Sequence, residues 1–103
     1  MNNLKYGYTP THPGEVLKDE IEYRRIPQIR LARQMGLSYK ILNDILNEHR
    51  PLTIQTAMMF EAALDIPADS LMRLQLKYNM QIASQDKSFT KRLAEIRKMS
   101  AML

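Results

Sequence analysis

Three observations predict an all-α fold for this chain of 103 residues. Apolar residues recur at the 3.6-residue spacing of amphipathic helices, as in Leu31, Ala32 and Met35, and again in Leu42, Ile45 and Leu46. No apolar–polar alternation outlasts four residues, so no strand is expected. Pro, Gly, Ser and Thr fall between the periodic segments, where helices start and stop. The expected architecture is five helices in one domain, followed by an additional C-terminal amphipathic helix.

Residues 1–11 (MNNLKYGYTPT) hold no helical period and carry Gly7 and Pro10, so they read as an irregular arm. Pro13 suits a first helical position, with His12 flanking it and Glu15 placed as a capping-box acid. The first helix is expected over 13–25, with Val16, Leu17 and Ile21 as one stripe. Pro27 stops it and starts a second helix over 27–35, because proline in a first turn forfeits no hydrogen bond. That helix buries Leu31, Ala32 and Met35, and Gly36 supplies its left-handed end. Ser38 caps a third helix over 38–47, whose inward residues are Leu42, Ile45 and Leu46. Thr53 caps a fourth, with Ala57, Met58, Phe60 and Leu64 inward. Ile66-Pro67 breaks the chain before a longer fifth helix over 68–83, using Leu71, Leu74, Leu76, Tyr78 and Ile82. After the polar SQDKS stretch, Phe89, Leu93, Ile96 and Met99 mark a basic amphipathic segment. The domains are therefore an arm at 1–11, a helical domain at 12–83 and a basic tail at 84–103.

Composition bounds the function. The chain is 45% hydrophobic and 25% charged, ordinary globular material of one domain's length. No apolar run approaches the ~20 residues that span a bilayer, so no membrane association is expected. No charged segment precedes an apolar one at the N-terminus, which favours the cytoplasm. Without cysteine there is no disulfide, thiolate or Cys-ligated zinc. His12 and His49 lie in separate turns and no glycine loop could cradle phosphate, so neither an enzyme nor a cofactor or metal is expected. His12 reads as a structural residue at a helix start.

The net charge of +4 invites an acidic partner. Its distribution is more telling. Between Arg24 and Arg50 six basic residues face only Asp44 and Glu48, and between Lys87 and Lys98 five face only Glu95. The rest of the chain is net acidic.

The second and third helices, joined at Gly36, have the plan of a helix-turn-helix. Ala32 is small where the helices cross, and Gly36 turns the chain without a Cβ penalty. With Leu42 and Ile45 inward, the third helix presents Ser38, Tyr39, Lys40, Asn43 and Asn47 outward. These are hydrogen-bonding residues on a helix sized for the DNA major groove. Lys40 and Tyr39 are expected to read bases. Gln28 and Arg50 are expected to sit on phosphate. Asp44 and Glu48 oppose DNA binding, since carboxylates near phosphates cost energy.

The chain resembles the HigA-type antitoxins of bacterial toxin–antitoxin modules, which carry a Cro- and lambda-repressor-like helix-turn-helix. The resembling stretches are HPGEVLKDE (12–20), QIRLARQMGLSYKILNDILNEHRPLT (28–53) and TAMMFEAALDIPADSLMRLQLKYNM (56–80). The resemblance implies an antitoxin that neutralises a HigB/RelE-like mRNA endonuclease toxin and represses the operon encoding both. Carried over by motif position, Gln28, Ser38 and Asn47 resemble backbone-contacting positions, while Tyr39, Lys40 and Asn43 fall on the base-reading face. There are departures. Asn47-Glu48-His49-Arg50 replaces the family's Asn-Gly-Lys/Arg-Arg, Ser70-Leu71 stands where relatives often carry an aromatic pair, and Pro27 replaces the usual serine cap.

Two other readings remain open: a free-standing helix-turn-helix repressor without a toxin, and a toxin-binding module that has lost DNA binding. A helix-turn-helix covers one half-site, so a homodimer is expected, with the fifth helix and the tail stripe as candidate interfaces. A toxin that handles RNA is basic, so its contacts are expected at the acids Glu15, Asp19, Glu20 and Glu22 of the first helix and at Tyr6 and Tyr8 of the arm.

Overall fold

The computed structural model describes residues 11–103, so the expectations for Tyr6 and Tyr8 lie outside the described residues. Six helices follow in order: α1 (Pro13–Tyr23), α2 (Gln28–Met35), α3 (Tyr39–Leu46), α4 (Ile54–Leu64), α5 (Ala68–Gln85) and α6 (Lys87–Ser100). No strand occurs among the described residues. Residues 11–76 form one compact unit and residues 77–103 belong to another, so the division falls within α5.

In the unit 11–76, α3 packs on α1 and α2, and α2 packs on α4. The core gathers one apolar stripe from each helix: Leu17 and Ile21, Leu31 and Ala32, Leu42, Ile45 and Leu46, Ala57, Phe60 and Leu64, and Leu71. Phe60 is its largest fully buried side chain.

The HPG sequence explains how α1 enters this core. His12 is buried at the N-cap, and its Nδ1 accepts a hydrogen bond from the Gly14 N–H at 2.9 Å. Pro13 follows at the first helical position. Gly14 lies so close to α3 that a methyl group built on it would run into the Ile45 carbonyl oxygen. The glycine is there for space. Gly36 is there for conformation instead: its φ is 74° and a methyl there would meet open space. The Leu37 N–H reaches the Ala32 carbonyl at 2.9 Å across this turn, closing the end of α2.

The other ends follow local chemistry. α1 ends at Tyr23, two residues earlier than expected, with Arg25 in the left-handed region (φ 58°) ahead of Pro27, and Pro27 occupies the α2 N-cap. Ser38 and Thr53 cap α3 and α4 through hydrogen bonds from Ile41 N–H and Thr56 N–H. Asp65 (φ 60°) closes α4. Arg24 then ties α1 to that end, donating from Nη1 to the Leu64 carbonyl at 2.8 Å while Glu20 holds its Nε at 2.6 Å.

Four inward assignments are corrected. Val16, Met58 and Ile82 are exposed, at 39%, 58% and 45%. Ala57 and Phe60 face the core, which turns Met58 to solvent. Leu76 is exposed too, and Gln75, four residues beyond Leu71, takes the inward position on α5. A buried amide is tolerated there because its Oε1 accepts the buried Leu52 N–H at 2.7 Å.

In the unit 77–103, the polar break between α5 and α6 narrows to Asp86. Its carboxylate accepts from the Ser88 and Phe89 N–H groups and caps α6. Phe89, Ile96 and Met99 are exposed, and Leu93 is half-buried.

Candidate nucleic-acid interface

The turn at Gly36 sets α3 across α2, and the buried triplet Leu42, Ile45 and Leu46 fixes its rotation. The opposite face must then look outward. Tyr39 is 49% exposed and the Lys40 side chain 79%. Asn43 is half-buried, and its Nδ2 donates to the Tyr39 hydroxyl at 3.4 Å.

Gln28, Tyr39, Asn43 and Asn47 line a single groove of about 350 Å³, although they come from two helices and a turn. Lys18, Pro27 and Ile29 complete its lining. The Oε1 of Gln28 is closed off from solvent and accepts no hydrogen bond among the described residues. Asn47 is held twice: its Nδ2 donates to the Asn43 carbonyl at 2.9 Å and its Oδ1 accepts from Lys18 Nζ at 3.0 Å.

Lys18 carries no helix-turn-helix signal in the sequence. It is the one cation in the acidic stretch from Glu15 to Glu22, and that reversal of sign was the available signal. Its positive charge also sits at the C-terminal end of α3, where it complements the helix dipole.

Lys40 and Arg50 do not line this groove. They gather on Asp44, which accepts from Lys40 Nζ at 3.1 Å and lies 3.7 Å from Arg50 Nη2. The hydrogen bond from Lys40, reinforced by the charges of Lys40, Arg50 and His49, holds the Asp44 carboxyl below its usual range. Ser38 is exposed, with its Oγ spent on the α3 cap. Glu48 ends α3 in the left-handed region (φ 65°), the position where the resembling sequences place glycine.

Of the acids on α1, Glu15, Asp19 and Glu22 are exposed, while Glu20 is engaged with Arg24. Among the described residues no group of His, Asp or Glu could hold a metal, and no helix is long and apolar enough to cross a membrane.

No family model matches the chain. Individual relatives do. Virulence-associated protein I of Dichelobacter nodosus is 31% identical over 77 residues, 74% of this chain and 71% of that protein. The Pseudomonas aeruginosa antitoxin HigA, solved with the higBA promoter, is 32% identical with a TM-score of 0.73, covering 82% of this chain and 90% of that one. A Pseudomonas aeruginosa protein in complex with its 28-bp operator DNA is 31% identical with a TM-score of 0.70, covering 84% and 93%.

Proposed function

The chain belongs to the HigA-type antitoxin family, and from that premise we propose that it represses its own operon through α3 and neutralises the toxin encoded beside it. The observation that carries the DNA half is the outward face of α3. Tyr39 and Lys40 stand exposed, with the half-buried Asn43 beside them, opposite the buried Leu42, Ile45 and Leu46. A helix so presented matches the major groove in width and in hydrogen-bonding chemistry.

In this reading the unit 11–76 is the DNA-binding domain and α6 an additional segment. Lys40 and Tyr39 read base edges, with Asn43 beside them. Gln28, Ser38, Asn47 and Arg50 hold the phosphate backbone on either side. Lys18 joins that set through Asn47. The solved relatives bound to promoter and operator DNA support the same partner here. The protein works as a homodimer in the cytoplasm, without a cofactor.

The toxin half rests on the family and on charge. A HigB/RelE-like endonuclease must present a basic surface to RNA, and Glu15, Asp19 and Glu22 form an exposed acidic face on α1.

The test uses the DNA immediately upstream of the coding region and a scrambled duplex of equal length and composition. The protein should bind the upstream duplex about 10³-fold more tightly or better. Equal affinity for the two duplexes would refute operator recognition. Co-expression with the adjacent reading frame should rescue growth and yield a complex that co-purifies. Absence of both would leave a free-standing repressor.

A further inference from the structure

Asp44 stands on the helix assigned to DNA, where a carboxylate should repel phosphate. Its surroundings suggest what it does there. The Lys40 ammonium and the Arg50 guanidinium both turn to the same oxygen, Oδ2, at 3.1 and 3.7 Å. The Asp44 side chain is 19% exposed, against 47% for Arg50 and 79% for Lys40, so the acid lies beneath the two cations rather than in front of them. Two positive charges aimed at DNA are thereby reduced to a cluster of net charge +1.

We propose that Asp44 is a specificity-determining residue that withholds Lys40 and Arg50 from phosphate and so suppresses binding to non-operator DNA. The inference rests on the reading of α3 as the DNA-contacting helix. Non-specific affinity grows with the number of phosphates neutralised, so each cation masked lowers it and flattens its salt dependence. Operator binding suffers less. The two acceptors of a guanine edge offer Lys40 a better-matched partner than a lone phosphate does. Asp44 therefore penalises contacts to phosphate alone more than contacts that include the correct base.

The experiment measures affinity of Asp44→Asn for the upstream duplex and for its scrambled counterpart across a salt series. Asparagine keeps the shape and an acceptor for Lys40 while removing the charge. Asp69→Asn is the charge-matched control, since Asp69 is exposed on α5 and pairs only with Arg73 among the ion pairs of the described residues. Circular dichroism establishes that each variant is folded.

Asp44→Asn should tighten scrambled-duplex binding roughly 3- to 10-fold at low salt and steepen its salt slope by about one unit. The upstream duplex should gain less, so that the ratio of the two affinities falls. Asp69→Asn should change either affinity less than about twofold. In a Lys40→Ala/Arg50→Ala background, Asp44→Asn should lose its effect on scrambled DNA. Where wild type prefers the upstream duplex, four results would overturn the proposal: no change in scrambled-duplex affinity, an equal gain by both duplexes, a loss of upstream binding, or an effect that persists in full without the two cations. If wild type shows no preference for the upstream duplex but Asp44→Asn still tightens scrambled binding through Lys40 and Arg50, operator recognition fails while the masking stands. If the preference exists and Asp44→Asn leaves it intact, the specificity role of Asp44 fails while operator recognition stands.

Discussion

Gly14 and Gly36 are both glycines at helix ends, and they do different jobs. A side chain at Gly14 collides with the Ile45 backbone, so Gly14→Ala should cost at least ~1–3 kcal/mol by forcing α1 off α3. At Gly36 there is space but a left-handed backbone. Gly36→Ala should cost about 1–2 kcal/mol and Gly36→Asn less, because asparagine tolerates that conformation. Urea midpoints of the three variants measure this. Similar losses from Ala and Asn at position 36 would contradict the conformational account. His12, between the arm and α1, adds a pH dependence. Burial pushes its imidazole below the ordinary 6.5, with the Glu48 carboxylate pulling the other way. The unfolded chain therefore binds the proton first, so stability is full above pH 6.5 and declines as pH falls below it. The lowered carboxyls of Asp44 and Asp86 act in a separate window, below 3.8. His12→Asn keeps a good cap and should flatten the decline below pH 6.5. An unchanged melting-temperature profile in the variant would remove His12 as the cause.

At the scale of the element, α3 was legible because its period is strict: three apolar residues lock one face, and the other follows by geometry. The turn was legible for the same reason, since Gly36 and Ser38 are each chemically suited to one end of a helix. Helix α4 was not. Ile54, Ala57, Met58, Met59, Phe60, Ala62, Ala63 and Leu64 make it apolar nearly all round, so periodicity gave no phase and Met58 was placed inside. Gln75 was hidden by a different cause, because its partner is a backbone N–H at Leu52 that no side-chain pattern reports. The site shows the same division. Its outward residues on α3 could be read locally, whereas Lys18 meets Asn47 only through the packing of α1 on α3. Asp44 was visible as a carboxylate on the helix proposed to contact DNA, but its grip on two cations was not. The proposed roles on α3 predict distinct losses. Lys40→Ala should cost the operator ~1–3 kcal/mol and relax one base position. Arg50→Ala should weaken all sequences alike and reduce the salt slope by about one unit. Equal factors on operator and scrambled DNA for Lys40→Ala would make Lys40 a phosphate contact.

For the whole molecule, the assignments of two partners require separable surfaces. The acids of α1 offer one test, and the structure refines it: Glu20 holds Arg24, which in turn holds the end of α4. Reversing Glu20 would disturb the fold, so the informative variant is Asp19→Lys with Glu22→Lys. It should weaken toxin binding and leave operator affinity within about twofold; unchanged toxin affinity would remove this face from the interface. The exposed residues Phe89, Ile96 and Met99 bear on the proposed dimer, and light scattering of a chain ending after Ile82 should show monomers if the tail joins two copies. An intact dimer would leave that role to other surfaces. The central claim is that two copies read operator DNA through α3, and footprinting on the DNA upstream of the coding region tests it most directly. Wild type should protect two half-sites centred about 34–36 Å apart on one face of the duplex. A folded Tyr39→Ala/Lys40→Ala/Asn43→Ala variant should lose that protection while still binding the toxin. Protection that survives the triple substitution unchanged, or no discrete protected sites with wild type, would contradict the account.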